Sequence, residues 1–254
     1  MSEGLSIIIA KEMSTEQLWI GCSSYTTPSW QTLFYPTDLP KSKWFAYYCQ
    51  YFKTYEFNAT FYRFPTVKNL LSWHDKTPDH FEFSVKVPKI ITHIKKLQDC
   101  TEEVSDFYQI SKEGLKNKLA CILWQSPPSF SFTRERLDLL ISLMDSHFEN
   151  VVEFRHVSWC NTEATKDLEK NSITFCNPNY PHLPTSIQQT TTTGYFRLHG
   201  NPQLFYSEYS KKEITDLYEE IKNYGFKKVY IYFNNTASTA AIKNALQLLE
   251  LIKQ

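Results

Sequence analysis

Three pairs of polar residues, each split by one apolar position, carry most of the chemistry this sequence offers. They are Glu56 and Asn58 around Phe57, Glu153 and Arg155 around Phe154, and Arg197 and His199 around Leu198. In an extended segment that spacing sets both polar members on one face and the apolar residue on the other. Lys86, Gln125 and Asn234 stand in similar settings, as in Phe83-Ser84-Val85-Lys86-Val87. The set provides carboxylates for general-base work and guanidinium and ammonium groups suited to an anion. It adds a histidine able to act as acid or orienting group and amides to fix polar edges. Glu56, Glu153 and His199 are therefore the expected catalytic residues. The expected substrate-binding residues are Asn58, Lys86, His93, Gln125, Arg155, His156, Trp159, Arg197, Tyr206, Asn234 and Asn235. The competing structural reading is a closed internal network, with Glu56 and Glu153 neutralised by Lys86, Arg155 and Arg197 and no ligand.

The elements that must position these residues follow from periodicity. Short apolar or alternating runs, read as strands, fall at Leu18–Ser23, Tyr55–Phe61, His80–Pro88, Leu119–Ser126, Val151–His156, Ser172–Asn177, Gly194–Gly200 and Lys228–Asn235. Amphipathic stretches at 41–52, 66–76, 101–116, 133–147, 162–170, 210–223 and 237–252 read as helices. Strands alternating with helices imply parallel pairing, since each connection must cross the sheet. Eight such units close into a single TIM-type (β/α)8 barrel, and 254 residues is its usual length. An open doubly wound sheet is the rival. Pro178, Pro181 and Pro184 exclude a regular helix between the sixth and seventh strands, so that connection is expected to be irregular. Residues 1–17 read as an N-terminal arm and 18–254 as the barrel domain.

In a barrel the helix-covered outer face is apolar, so the polar parity must point inward. Several of these groups lie late in their strands, at the end where barrels assemble active sites. Burying them costs several kcal/mol each unless they are paired or bind something. The following loops add Tyr25, Trp30, Tyr62, Arg63, Phe130, Phe132, Trp159, Tyr206 and Tyr209, and a basic segment with Lys89, His93, Lys95 and Lys96. A cationic, aromatic mouth suits an anionic small molecule or a nucleic-acid segment.

Other classes are set aside on composition and motif. Lys+Arg and Asp+Glu balance at 27 each, unlike a domain coated in nucleic acid. The six cysteines are scattered without a C-x-x-C pair and read as small buried hydrophobes of a reducing compartment. The apolar stretch Leu5–Ala10 is too short for a membrane span, and a cytoplasmic protein without membrane contact is expected. No G-x-G-x-x-G, Walker A, H-E-x-x-H or G-x-S-x-G motif is present, so no cofactor is expected. With Glu56 and Glu153 the carboxylates at strand ends, no metal is expected either. A glycosidase pair could be drawn from the same two residues, but the surplus of cations fits a neutral sugar poorly.

The ordered motifs resemble those of the YecE-like family, also called domain of unknown function seventy-two. They are Ile20-Gly21-Cys22-Ser23, Glu56-Phe57-Asn58-Ala59-Thr60-Phe61-Tyr62, Phe83-Ser84-Val85-Lys86-Val87-Pro88 with Thr92-His93, and Trp124-Gln125-Ser126-Pro127-Pro128-Ser129-Phe130. Val152-Glu153-Phe154-Arg155-His156 with Ser158-Trp159 follows, then Arg197-Leu198-His199-Gly200 with Tyr206 and Tyr209, and Tyr232-Phe233-Asn234-Asn235 with Asn244-Ala245. The resemblance implies a TIM-type barrel but no reaction. It also implies a likeness in shape to the endonuclease IV and xylose isomerase barrels. Ser24 stands where the family usually has glycine. The expected function is an enzyme of hydrolase, phosphoesterase or lyase type acting on a phosphorylated or nucleotide-like substrate. The alternatives are a nucleic-acid-binding module or an endonuclease IV-like phosphodiesterase.

Overall fold

The computed structural model describes residues 17–253, so the expected N-terminal arm lies outside the described residues except for Gln17. Eight parallel strands form one sheet: β1 (Leu18–Cys22), β2 (Thr54–Phe57), β3 (Glu82–Lys86), β4 (Leu119–Gln125), β5 (Asn150–Glu153), β6 (Thr174–Asn179), β7 (Thr193–Leu198) and β8 (Lys228–Phe233). Between and after them run α1 (Trp44–Tyr48), α2 (Ala59–Tyr62), α3 (Val67–Asp75), α4 (Thr101–Leu115), α5 (Arg134–Leu143), α6 (Thr162–Lys170), α7 (Lys211–Lys222) and α8 (Ala240–Leu251). Ladder pairing runs β1-β8-β7-β6-β5-β4-β3-β2, the order of a barrel wound in sequence. Among the described residues no helix is long and apolar enough to cross a membrane.

The barrel's two faces bury different chemistry. Outward-pointing Phe83, Val85, Val152, Phe196, Leu198, Val229 and Ile231 join the helices in one large apolar layer. The interior holds a smaller cluster of Cys121, Leu123, Val151, Cys176, Tyr195, Tyr230 and Tyr232. Interior hydroxyls are bonded: Tyr232 Oη lies 2.6 Å from Thr54 Oγ1 and 2.9 Å from Ser84 Oγ. At the N-terminal end Glu82 accepts from Lys228 (2.8 Å) and from Tyr230, closing the barrel floor.

Ladder bonds are absent at one seam, between β1 and β2. Gly21 comes so close to β2 that a Cβ there would sit 2.4 Å from the Thr54 carbonyl oxygen. The buried Tyr48 hydroxyl of α1 fills the gap: it accepts from the Cys22 amide (2.7 Å) and donates to the Thr54 carbonyl (3.0 Å). A side chain thus satisfies two backbone groups that a ladder would otherwise pair.

One element differs from the sequence expectation and another meets it. The strand expected over Tyr55–Phe61 stops at Phe57, and a helical turn begins at Ala59. Thr60 Oγ1 donates to the carbonyls of Phe57 (2.9 Å) and Lys86 (2.6 Å), satisfying acceptors at the strand ends and turning the chain. The connection from β6 to β7 carries no helix, as its prolines require. It is pinned instead by Asn177 to Gln188 (2.7 Å) and by Thr190 Oγ1, bonded to the Phe175 amide (2.8 Å) and the Ile173 carbonyl (2.7 Å). Five cysteines are buried and all six are free, but Cys160 is exposed because it sits in the loop before α6.

Candidate functional site

The inner layer of the site is built around Arg197 of β7, which is 1% exposed. Its Nε donates to both oxygens of Glu56 (3.1 and 2.9 Å) and its Nη2 to Glu56 Oε1 (2.7 Å) and Asn234 Oδ1 (2.9 Å). Its Nη1 pairs with Glu153 of β5. Glu56 also accepts from Tyr195 Oη (2.7 Å) and Asn234 Nδ2 (3.2 Å), and Asn58 touches the cluster at 3.4 Å. Burial opposes charge in both Arg197 and Glu153, yet opposite charges prevail. Glu153 and Glu56 hold the guanidinium well above its usual range. Arg155 and Arg197 hold the Glu153 carboxyl well below its own.

Above this layer, Arg155 forms a fork. Its Nε pairs with Glu153, its Nη2 lies 3.1 Å from His199 Nε2, and its guanidinium stacks 4.0 Å from the Tyr180 ring centre. Glu153 Oε1 and His199 Nε2 are 3.3 Å apart, a spacing the two prongs can bridge. His199 Nε2 thus faces both a donor, the Arg155 guanidinium, and an acceptor, the Glu153 carboxylate, and the ring proton can sit on either nitrogen. Its Nδ1 is buried without a partner. Burial, together with Arg155, lowers the imidazole pKa to about 3, so His199 is neutral at physiological pH.

The third group comes from β3 and β4. Lys86 Nζ donates to Gln125 Oε1 (2.7 Å) and sits 3.9 Å from the Phe61 ring centre. Burial, reinforced by Arg197, lowers its pKa to about 7. His93 contacts Thr92 Oγ1 (2.8 Å) and lies 3.5 Å from Gln125 Nε2. Burial, with Lys86, lowers its pKa to about 4.

The structure therefore brings together Glu56, Asn58, Lys86, His93, Gln125, Glu153, Arg155, Arg197, His199 and Asn234. It places four expected binding residues elsewhere. Trp159 is fully buried, stacked 3.9 Å from Phe154 with Nε1 on the Phe130 carbonyl (2.6 Å). Its large apolar surface gains more from that layer than from a wet rim. His156 caps the turn that carries Trp159, its Nδ1 accepting from the Ser158 amide (3.2 Å) with Ser158 Oγ 2.7 Å away. Asn235 is fully buried, donating to the Ser207 carbonyl (2.9 Å) and to Asn244 (3.1 Å), and so anchors the loop after β7. Tyr206 stays on the rim, 53% exposed, where its backbone carbonyl accepts from Ser238 Oγ (3.4 Å). Ser24, in place of glycine, uses its hydroxyl within its own loop, near Thr27 Oγ1 (3.3 Å) and the Thr26 amide (3.3 Å).

Three contributors escaped sequence reading. Tyr195 has the parity of Arg197 and could have been found from it. Phe61 was assigned to an outward strand face, and only the early helical turn swings it over Lys86. Tyr180 lies in the proline-rich connection, where periodicity gives no direction. Most expected rim aromatics pack inward, including Trp30, Phe130 and Tyr209. The exposed large apolar side chains among the described residues are Leu33, Tyr62, Ile94, Val157, Phe205 and Tyr206, all in segments that connect a strand to its following helix or lie in the first helical turn after it, and Tyr51. Among the described residues no three His, Cys, Asp or Glu side chains converge as a metal cage.

An α/β barrel with a charged, hydrogen-bonded interior at the C-terminal ends of its strands is the class these features define. The chain belongs to the family described as "Protein of unknown function DUF72", which it matches over residues 19–254. It is similar to the UPF0759 protein YunF of Bacillus subtilis, at 25% identity over 86% of this chain and 89% of that one. It is also similar to the UPF0759 protein YecE of Escherichia coli, at 30% identity over 55% of this chain and 48% of the relative. Among solved structures, a DUF72 family protein from Thermotoga maritima superposes with a TM-score of 0.85 at 29% identity, covering 94% of this chain and all of that one. One from Enterococcus faecalis gives 0.80 at 20% identity, over 93% and 96% of the two chains, a likeness of fold.

Proposed function

We propose that this protein is an enzyme that binds an anionic substrate, phosphorylated or nucleotide-like, above the Arg197 cluster. The observation that carries this reading is the buried, unpartnered Nδ1 of His199. An unsatisfied buried polar atom costs about 1–3 kcal/mol, so a ligand atom completes the site. With Nε2 accepting from Arg155, Nδ1 carries the proton and calls for an acceptor, and the neighbouring groups are donors as well: Arg155 has a guanidinium edge beyond its Glu153 and His199 contacts, and Lys86 carries ammonium protons beyond Gln125. Both carboxylates, by contrast, are engaged by arginine.

On this reading Arg155 and Lys86 bind the anion, and neutral His199 polarises a ligand oxygen from Nδ1, as a donor rather than an imidazolium acid. Glu56 and Glu153 hold the arginines in place, and Glu153, whose carboxyl is held well below its usual range, is a weak base. Arg197, with its donors consumed, positions the cluster. The test is a thermal-shift panel of phosphate, sugar phosphates and nucleotides. A ligand at one hundred times its Kd stabilises by about 2.7 kcal/mol, and Arg155→Met should remove that shift. A panel that leaves the melting temperature unchanged, or an Arg155→Met protein that responds like the parent, overturns the reading.

The apolar rim favours a second reading, a nucleic-acid segment stacked on Tyr62, Phe205 and Tyr206. It requires binding of single-stranded oligonucleotide that weakens steeply with salt.

A further inference from the structure

Lys86 differs from the other cations of the site. Arg155 and Arg197 are each paired with a carboxylate, whereas Lys86 makes no ion pair among the described residues. Its Nζ has one side-chain acceptor, Gln125 Oε1, and an aromatic face, Phe61, on its flank. The residue is 7% exposed and ends β3, on the same rim as His199. Lysines are made nucleophilic by desolvation and by nearby cations, and both conditions are met by Phe61 and by the two arginines. A buried structural lysine fills its three donors, as Lys118 does with the carbonyls of His74 and Thr77 (2.7 Å each) and Thr77 Oγ1 (3.2 Å), whereas Lys86 Nζ has Gln125 alone.

We propose that Lys86 is a nucleophilic amine that forms an imine with the carbonyl carbon of an aldehyde or ketone bearing an anionic group. The anionic group in this assignment rests on the function proposed above; the amine chemistry does not. The free Nζ lone pair attacks the carbonyl carbon, the C–N bond forms, and the carbonyl π pair becomes a hydroxyl after taking up a proton. The hydroxyl takes a further proton from solvent as the C–O bond breaks, one water leaves, and the nitrogen lone pair closes the C=N bond, so that one amine, one carbonyl and one solvent proton give one protonated imine and one water. No oxidation occurs. The protonated imine keeps one positive charge on nitrogen, and Glu56 and Glu153 supply fixed negative charge nearby. Such an iminium draws electrons from the adjacent carbon, so the reactions it serves are cleavage or isomerisation beside a carbonyl. Burial lowers the Lys86 pKa to about 7, which leaves half of it as free amine at neutral pH.

The test is reductive trapping on the full chain at pH 7, using glycolaldehyde phosphate or glycolaldehyde with cyanoborohydride as hydride donor. The adduct is located by peptide mapping. An ordinary lysine at pH 7 has roughly a thousandfold less free amine than one titrating near 7. Allowing for the lower intrinsic nucleophilicity of a weaker base, Lys86 should be labelled about tenfold faster than surface lysines. Lys86→Met should lose the fast adduct while still unfolding in one cooperative transition, which separates lost chemistry from lost folding. Preference for the phosphorylated aldehyde supports both the amine and the anion site. Equal labelling of Lys86 by the two aldehydes supports the amine and counts against the anion site. Labelling of Lys86 no faster than the surface lysines, in protein whose melting temperature still responds to phosphate, overturns the amine and leaves the anion site standing.

Discussion

Replacing Arg197 with methionine tests the central cluster most directly. The guanidinium makes two contacts to Glu56 through Nε, one more through Nη2, and an ion pair with Glu153 through Nη1. After the change Glu153 keeps Arg155, but Glu56 keeps only Tyr195, Asn234 and Asn58, none of them charged. Removing one partner of a fully buried pair costs about 3–5 kcal/mol, because the other charge is left uncompensated. In a chain of this size that corresponds to a melting temperature lower by about 6–20 °C. Total stabilities of about 5–15 kcal/mol leave the variant folded and measurable. Glu56→Gln removes the orphaned charge but preserves its shape. The Glu56→Gln/Arg197→Met double variant should therefore be more stable than the sum of the single losses, with a coupling of about 2 kcal/mol. Urea denaturation of the four proteins gives that number. Additivity within about 0.5 kcal/mol would refute the premise that these two residues neutralise each other in a desolvated interior.

Two further outcomes are expected. His199 is held neutral, with its folded pKa lowered to about 3 from an ordinary 6.5, so the unfolded chain binds the extra proton between those values. Its contribution to stability is thus present above pH 6.5 and lost as pH falls towards 3; thermal melts from pH 7 to 4 should decline less steeply for His199→Gln, and identical slopes would contradict the assignment. Tyr48→Phe deletes the hydroxyl that joins the Cys22 amide to the Thr54 carbonyl and should destabilise by about 1–3 kcal/mol, with faster hydrogen exchange at the Cys22 amide, whereas an unchanged amide would mean the seam is held by packing alone.

Much of the barrel was legible in the chain because strand periodicity is a local property. Phe83 and Val85 against Ser84 and Lys86, or Val229 and Ile231 against Tyr230 and Tyr232, state their two faces within a few residues. The helical shell then decides which face is inside, and the three prolines mark the connection without a helix. The inward set that includes Glu56, Glu153, Arg197, His199 and Asn234 followed from the same rule. Loop residues gave no such direction. Trp159, His156 and Asn235 lie just beyond strand ends, where chain position is compatible with either a mouth or a core, and packing with Phe154, Ser158 and Asn244 chose the core.

The sequence by itself thus determined the strand faces, the barrel and the identity of its inward polar residues, since these depend on side-chain type at a fixed local spacing. Only the tertiary structure decided which charges neutralise which. Glu56 meets an arginine 141 positions away and Glu153 divides itself between neighbours two and 44 positions away. Those choices leave His199 Nδ1 without a partner and Lys86 without a carboxylate. The pairing depends on three-dimensional distance and desolvation, which no local pattern encodes.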